Sequence, residues 1–140
     1  ILYNHAQGPG FLAQKIIRGV ADIWHGRKKR LVLADLDAKA DWGYAPDYVE
    51  AMQAILKHDT AADFIVASGK GRSVRQFVRT AFSQAGLDWR PFVKEEPRLL
   101  TRERLTFVGD PRKLMRLTGW RPRVTFDRMI EILLQAEGVR

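Results

Sequence analysis

The sequence predicts an α/β or α+β domain, and three observations carry that expectation. Apolar runs too short for helices alternate with segments whose apolar residues recur at helical spacing. Residues that start and stop helices bracket those segments. The 140 residues, 46% hydrophobic and 29% charged, have the length and composition of one globular domain.

In chain order, Ile1-Leu2-Tyr3-Asn4 reads as the end of a strand, as if cut mid-fold. Phe11, Ile16, Val20, Ile23 and Trp24 mark one face of a first helix that stops near His25-Gly26. Arg27-Lys28-Lys29-Arg30 is a basic turn, and Leu31-Val32-Leu33 a short strand. A second helix begins near Pro46, because proline suits a first helical turn. It is expected to bury Val49, Met52, Ile55 and Leu56. Phe64-Ile65-Val66-Ala67 reads as a strand, followed by a turn at Ser68-Gly69-Lys70-Gly71.

Ser73 with Gln76 forms a capping-box pattern for a third helix, whose stripe is Phe77, Val78, Ala81, Phe82 and Ala85. Gly86 ends it. Trp89, Pro91, Phe92 and Val93 predict an irregular strand, and Lys94-Glu95-Glu96-Pro97 a polar loop. Asp110-Pro111 opens a short helix that Gly119 closes. The last helix starts near Thr125 and is expected to bury Phe126, Met129, Ile130, Leu133 and Leu134. No internal repeat, low-complexity tract or linker interrupts the pattern.

Composition narrows the function classes. Zero cysteines exclude disulfides and thiolate metal sites and fit a reducing cytoplasm. No apolar run approaches the ~20 residues of a membrane span. The first residues lack a basic region followed by an apolar one, so no signal peptide is expected. The net charge of +8 favours an anionic partner, though charge runs equally decorate solvated faces.

Few residues offer chemistry by pattern. His5, His25 and His58 show no metal-ligand spacing; His25 and His58 fall near helix C-termini, where a helix dipole favours them. Asp35, Asp37 and Asp41 lack the glycine and distal glutamate of a calcium loop, so turn formation accounts for them. Gly8-Pro9-Gly10 and Ser68–Ser73 could each present backbone N–H groups to an anion, but the second lacks Walker-loop spacing. A glycine-rich dinucleotide loop and a Tyr-x-x-x-Lys pair do not occur, so no catalytic residue is assigned.

Against that background the stretch Leu36-Asp37-Ala38-Lys39-Ala40-Asp41-Trp42-Gly43-Tyr44-Ala45-Pro46-Asp47-Tyr48 resembles a strand-to-helix segment of GDP-mannose 4,6-dehydratases. Four further matches follow in that family's order. They are Leu2-Tyr3-Asn4-His5; Phe11 to Lys15-Ile16; Asp63-Phe64 through Ser73-Val74-Arg75-Gln76-Phe77; and Gly109-Asp110-Pro111 with Leu117-Thr118-Gly119-Trp120-Arg121-Pro122.

The resemblance implies an α/β fold: residues 1–140 as the C-terminal substrate-binding portion of an extended short-chain dehydrogenase of Rossmann type. Short strands and about five helices are expected, with the N-terminal dinucleotide-binding domain absent from this chain. It implies that Asn4 and Lys15 approach the diphosphate of a nucleotide sugar. Arg102 and Glu103 are expected near phosphate and sugar or base, although Leu100 falls on the family's arginine. His5, beside Asn4 at a strand end where α/β ligands gather, is expected toward the cofactor.

NADP or NAD would serve the full-length family, taking a hydride from sugar C4 and returning it to C6 after water leaves across C5 and C6. This chain would hold the sugar nucleotide and bind no cofactor tightly. The expected partners are a nucleotide diphosphate sugar and either the missing N-terminal half or a second copy. Neither a membrane nor nucleic acid is expected.

The family's long arginine-rich loop is short and uncharged here, Ala6-Gln7-Gly8-Pro9-Gly10, and Ala40 replaces a family arginine. A sugar-nucleotide reductase or epimerase of the same superfamily is the near alternative. A stand-alone basic nucleic-acid-binding domain is the distant one.

Overall fold

The computed structural model describes residues 2–3, 11–99 and 106–140. In order the elements are β1 (Leu2–Tyr3), α1 (Leu12–Trp24), β2 (Leu31–Leu33), β3 (Lys39–Asp41), β4 (Gly43–Tyr44), α2 (Ala45–Leu56), β5 (Gly71–Ser73), α3 (Val74–Gln84), β6 (Val93–Glu95), α4 (Arg112–Thr118) and α5 (Phe126–Ala136). Pro97–Leu99 form a 3-10 turn. The five helices agree with the sequence reading, as does β2.

The strands pair in three short ladders. β1 runs parallel to β4, with Leu2 opposite Gly43. β2 runs parallel to β6, with Leu31 opposite Val93 and Leu33 opposite Glu95. β3 and β5 are antiparallel, with Lys39 opposite Ser73.

Helices α1, α3 and α5 pack around one core that β2 closes. Ile16, Ile17, Val20, Phe77, Phe82, Met129, Ile130 and Leu133 are sealed inside it. Each buries most of a large apolar side chain, worth about 1.5–3 kcal/mol apiece. A second, smaller cluster joins α2 to α4 through Tyr48, Ala51, Leu114 and Trp120.

The caps follow the sequence at α3, at α5 and at the end of α4, whereas α4 begins one residue later than expected, with Pro111 and not Asp110 as its N-cap. Ser73 Oγ accepts the Gln76 N–H at 3.1 Å while Gln76 Oε1 accepts the Ser73 N–H at 2.8 Å, a complete capping box. Thr125 caps α5 through the Arg128 N–H, and Gly119 closes α4 at φ 74°.

Four expectations need correction. On α2 the buried face is Ala45, Asp47, Tyr48 and Ala51; Val49, Met52 and Leu56 point outward, 51%, 47% and 85% exposed. The aromatic anchors of the second cluster pull the helix round by its Tyr48 face. On α1 the end residues Phe11 and Trp24 are exposed, whereas Ile16, Val20 and Ile23 are buried as expected.

Residues 64–67 form no strand. Gly109 lies so close to Ala67 and Ile65 that a Cβ there would clash, so the two segments run side by side without a ladder. Finally, the strand expected over residues 89–93 is shifted. Residues 89–92 turn, and β6 takes Val93–Glu95 from the expected polar loop because β2 offers it a parallel partner.

Candidate functional site

Of the residues singled out for binding, Asn4, His5, Arg102 and Glu103 lie outside the described residues. So do Gly8-Pro9-Gly10 and Leu100. Lys15 is described. It sits exposed on the first turns of α1, with Arg18 and Gly19 at i+3 and i+4 on the same face.

That face borders a cleft of about 320 Å³. Lys15, Arg18 and Gly19 form one wall; Lys28, Arg30, Leu31 and Val32 form another, and Leu99 closes the end. Helix and strand approach closely because residue 19 is glycine: a Cβ there would stand 2.7 Å from Leu31 Cδ1. Local sequence therefore builds the cleft. An amphipathic helix supplies two cations, and a basic turn leads directly into the strand that packs beneath it.

Among the described residues four cations and no carboxylate line this space. Arg18 reaches Glu137 at 3.4 Å, and Lys28 reaches Asp22 at 2.6 Å. The Lys28 ammonium, then Arg27, hold the Asp22 carboxyl below the usual carboxylate range. Among the described residues Lys15 and Arg30 make no ion pair. An apolar floor under convergent cations can receive a flat ring together with a phosphate. A larger, shallower groove along α3 holds Arg72, Arg79 and Arg90, and Lys15 does not line it.

The structure also assigns the residues that looked like chemistry and are not. The turn Ser68–Gly71 does bind an anion, and the anion is Asp41. Its carboxylate accepts N–H groups from Ser68 at 2.9 Å, Gly69 at 3.0 Å and Gly109 at 3.3 Å. Asp35 accepts the N–H groups of Asp37 and Ala38, as a turn-forming aspartate should.

Asp47 is buried and accepts N–H groups from Arg123 and Val124, both at 2.8 Å. Trp42 donates its indole N–H to the Arg72 carbonyl and lies 4.8 Å from the Phe77 ring centre. His25 caps α1 and lies 3.3 Å from the Glu137 carbonyl. Among the described residues no group of three His, Cys, Asp or Glu side chains could hold a metal ion. No described helix is long and apolar enough to cross a membrane.

The sequence reading missed Arg18, Lys28 and Arg30 as companions of Lys15. The i, i+3 spacing was a usable signal for Arg18. Nothing in the sequence alone brings the turn at 27–30 to the same cleft.

The family model for GDP-mannose 4,6 dehydratase matches residues 1–133. The chain belongs to the GDP-mannose 4,6 dehydratase family. GDP-mannose 4,6 dehydratase 2 of Arabidopsis thaliana is 33% identical across 98% of this chain and 38% of its own length. The Homo sapiens GDP-mannose 4,6 dehydratase is 34% identical across 98% of this chain and 42% of its own. The chain thus spans about two fifths of these relatives.

Among solved structures, RMD from Pseudomonas aeruginosa complexed with NADPH superposes with a TM-score of 0.88 at 22% identity, over 97% of this chain and 45% of that one. UDP-glucose 4-epimerase from Thermus thermophilus in complex with NAD gives 0.78 at 25% identity, over 98% and 44%. The fold is therefore a portion of the Rossmann-type short-chain dehydrogenase architecture, as the motifs implied. Those two neighbours carry NADPH and NAD. In this chain the nest at 68–71 is filled by Asp41.

Proposed function

We propose that this chain is the nucleotide-sugar-binding part of a GDP-mannose 4,6-dehydratase-like, NAD(P)-dependent enzyme. The observation that carries the reading is the cleft beside Lys15, where four cations converge on an apolar floor and no carboxylate among the described residues opposes them. Lys15 supplies a point charge to the diphosphate. Asn4, Arg102 and Glu103 complete the substrate contacts in this proposal, and His5 borders the cofactor. The cofactor itself, NADP or NAD, belongs to the portion of the relatives that this chain does not span.

The partner is the dinucleotide-binding N-terminal half or a second copy of this chain. Val49, Met52 and Leu56 support this, since they form an apolar stripe at i, i+3 and i+7 of α2 that no described residue covers. The proposed setting is the cytoplasm, in keeping with a cysteine-free chain.

A reductase or epimerase of the same superfamily is the second reading, favoured by the likeness to UDP-glucose 4-epimerase. Nucleic-acid binding is less well supported, because many of the described cations are already paired. Arg75 binds Asp37, Arg112 binds Asp110, Arg123 binds Glu50 and Arg128 binds Glu131.

The test is a titration of the chain with GDP-mannose, UDP-glucose and duplex DNA, followed by NMR at about physiological ionic strength. GDP-mannose is expected to shift the resonances of Lys15 and its neighbours. Lys15→Ala is expected to weaken binding by ~1–3 kcal/mol, the scale of a charge-assisted hydrogen bond. Stronger binding of UDP-glucose would favour the second reading. Specific DNA binding with Lys15 untouched would replace both.

A further inference from the structure

The turn Arg27-Lys28-Lys29-Arg30 is not among the residues that carry the family resemblance, yet it delivers two side chains to the same cleft as Lys15. Its delivery is built into the fold. Arg27 and Lys28 fold back onto α1: both backbone N–H groups donate to the Asp22 carbonyl, at 2.7 and 3.1 Å. The Asp22 carboxylate then takes the Arg27 guanidinium at 2.9 Å. At the other end the Leu31 N–H donates to the Phe92 carbonyl at 2.8 Å, which fixes the start of β2. Arg30 is therefore held between a turn tied to α1 and a strand tied to β6.

Four positive side chains border about 320 Å³ and favour entry of an anion. Lys28 has a surface partner in Asp22, and Arg18 has Glu137. Lys15 and Arg30, from opposite walls, are the pair without such a partner among the described residues. A lysine offers a compact charge and an arginine a planar fork that takes two phosphate oxygens. The floor between them, Gly19, Leu31 and Val32, is apolar and suits a sugar or base face.

We propose that Arg30, assisted by Lys28, forms the wall of a diphosphate site facing Lys15, and that this wall makes the cleft select nucleoside diphosphates over monophosphates and uncharged nucleosides. The inference rests on the reading that this cleft holds the nucleotide. It adds two specificity-determining residues to it.

Calorimetric titration of the 140-residue chain with GDP, GMP and guanosine tests the proposal, using Arg30→Ala, Arg30→Lys, Lys28→Ala and Lys15→Ala. Arg79→Ala removes one charge from the α3 groove and serves as the control. Arg30→Ala is expected to weaken GDP about tenfold, GMP less, and guanosine not at all, with Arg30→Lys recovering part of the loss. Lys28→Ala is expected to cost about threefold, since its ammonium is shared with Asp22. Both variants should flatten the salt dependence of GDP binding.

The proposal is overturned if Arg30→Ala matches Arg79→Ala, or if guanosine loses as much as GDP. If the parent chain binds GDP and Lys15→Ala weakens it while Lys28→Ala and Arg30→Ala do not, the cleft reading survives and this inference falls. If the parent chain binds no nucleoside diphosphate, both fall.

Discussion

Asp41 accepts the backbone N–H of Gly69 at 3.0 Å through one carboxylate oxygen, while the other oxygen takes Ser68. The carboxylate thus occupies a nest of N–H groups that would otherwise be open to a bound anion. It also reaches Gly109, so one buried side chain ties the loop before β5 to the segment before α4. The aspartate of the Asp-Trp-Gly motif is a structural clamp in this chain.

Asp41→Ala leaves three backbone N–H groups without their acceptor. A loss of roughly 1–3 kcal/mol in folding stability is expected, since a fully buried orphaned donor costs about 1–3, these three are only partly buried, and such losses are not additive. Urea denaturation measures it. Asp41→Asn keeps one oxygen and should lose less; equal losses would mean that charge and not hydrogen bonding holds the loops.

Gly43 is a close-approach glycine. A Cβ there would run into the Tyr48 hydroxyl and stand 2.6 Å from its Cε1. Gly43→Ala is expected to destabilise by about 1–3 kcal/mol through overpacking. The Gly43→Ala, Tyr48→Leu double variant should be less than additive. Strict additivity in thermal melts would show that the ring is not what the new methyl meets.

Tyr48 should also set an alkaline limit. Burial, and after it the negative charge of Asp41, raise its hydroxyl well above the ordinary 10.0. The unfolded chain therefore releases this proton first. The contribution is whole below about pH 10 and falls as pH rises beyond it, by up to ~1.4 kcal/mol per pH unit. Tyr48→Phe should flatten that fall in urea midpoints taken between pH 8 and pH 11. An unchanged alkaline limb in the variant would rule out Tyr48 as its source.

The stripe on α2 predicts association. Leu56 is 85% exposed, so Leu56→Lys should change folding stability by no more than about 0.5 kcal/mol. Light scattering of the parent chain is expected to show self-association, and Leu56→Lys with Met52→Lys should reduce it. A parent chain that stays monomeric at high concentration would count against a covering partner on this face.

Local chemistry in the sequence determined much of this protein. The places of the five helices, the Ser73–Gln76 box and the Gly119 stop depend on neighbours within a few residues, and these reappear in the structure. Lys15 was singled out as a candidate by its motif alone. Tertiary structure decided the rest. Which side of α2 is buried depended on Trp120 and Leu114, more than sixty residues away along the chain. The short strands β3, β4 and β5 carry little apolar pattern and exist through their pairing partners. Residues 64–67, apolar enough for a strand, find no ladder partner among the described residues. The meeting of Lys15 with Arg30 required α1 to pack on β2 across Gly19, a contact that depends on three-dimensional packing and has no signature in local spacing.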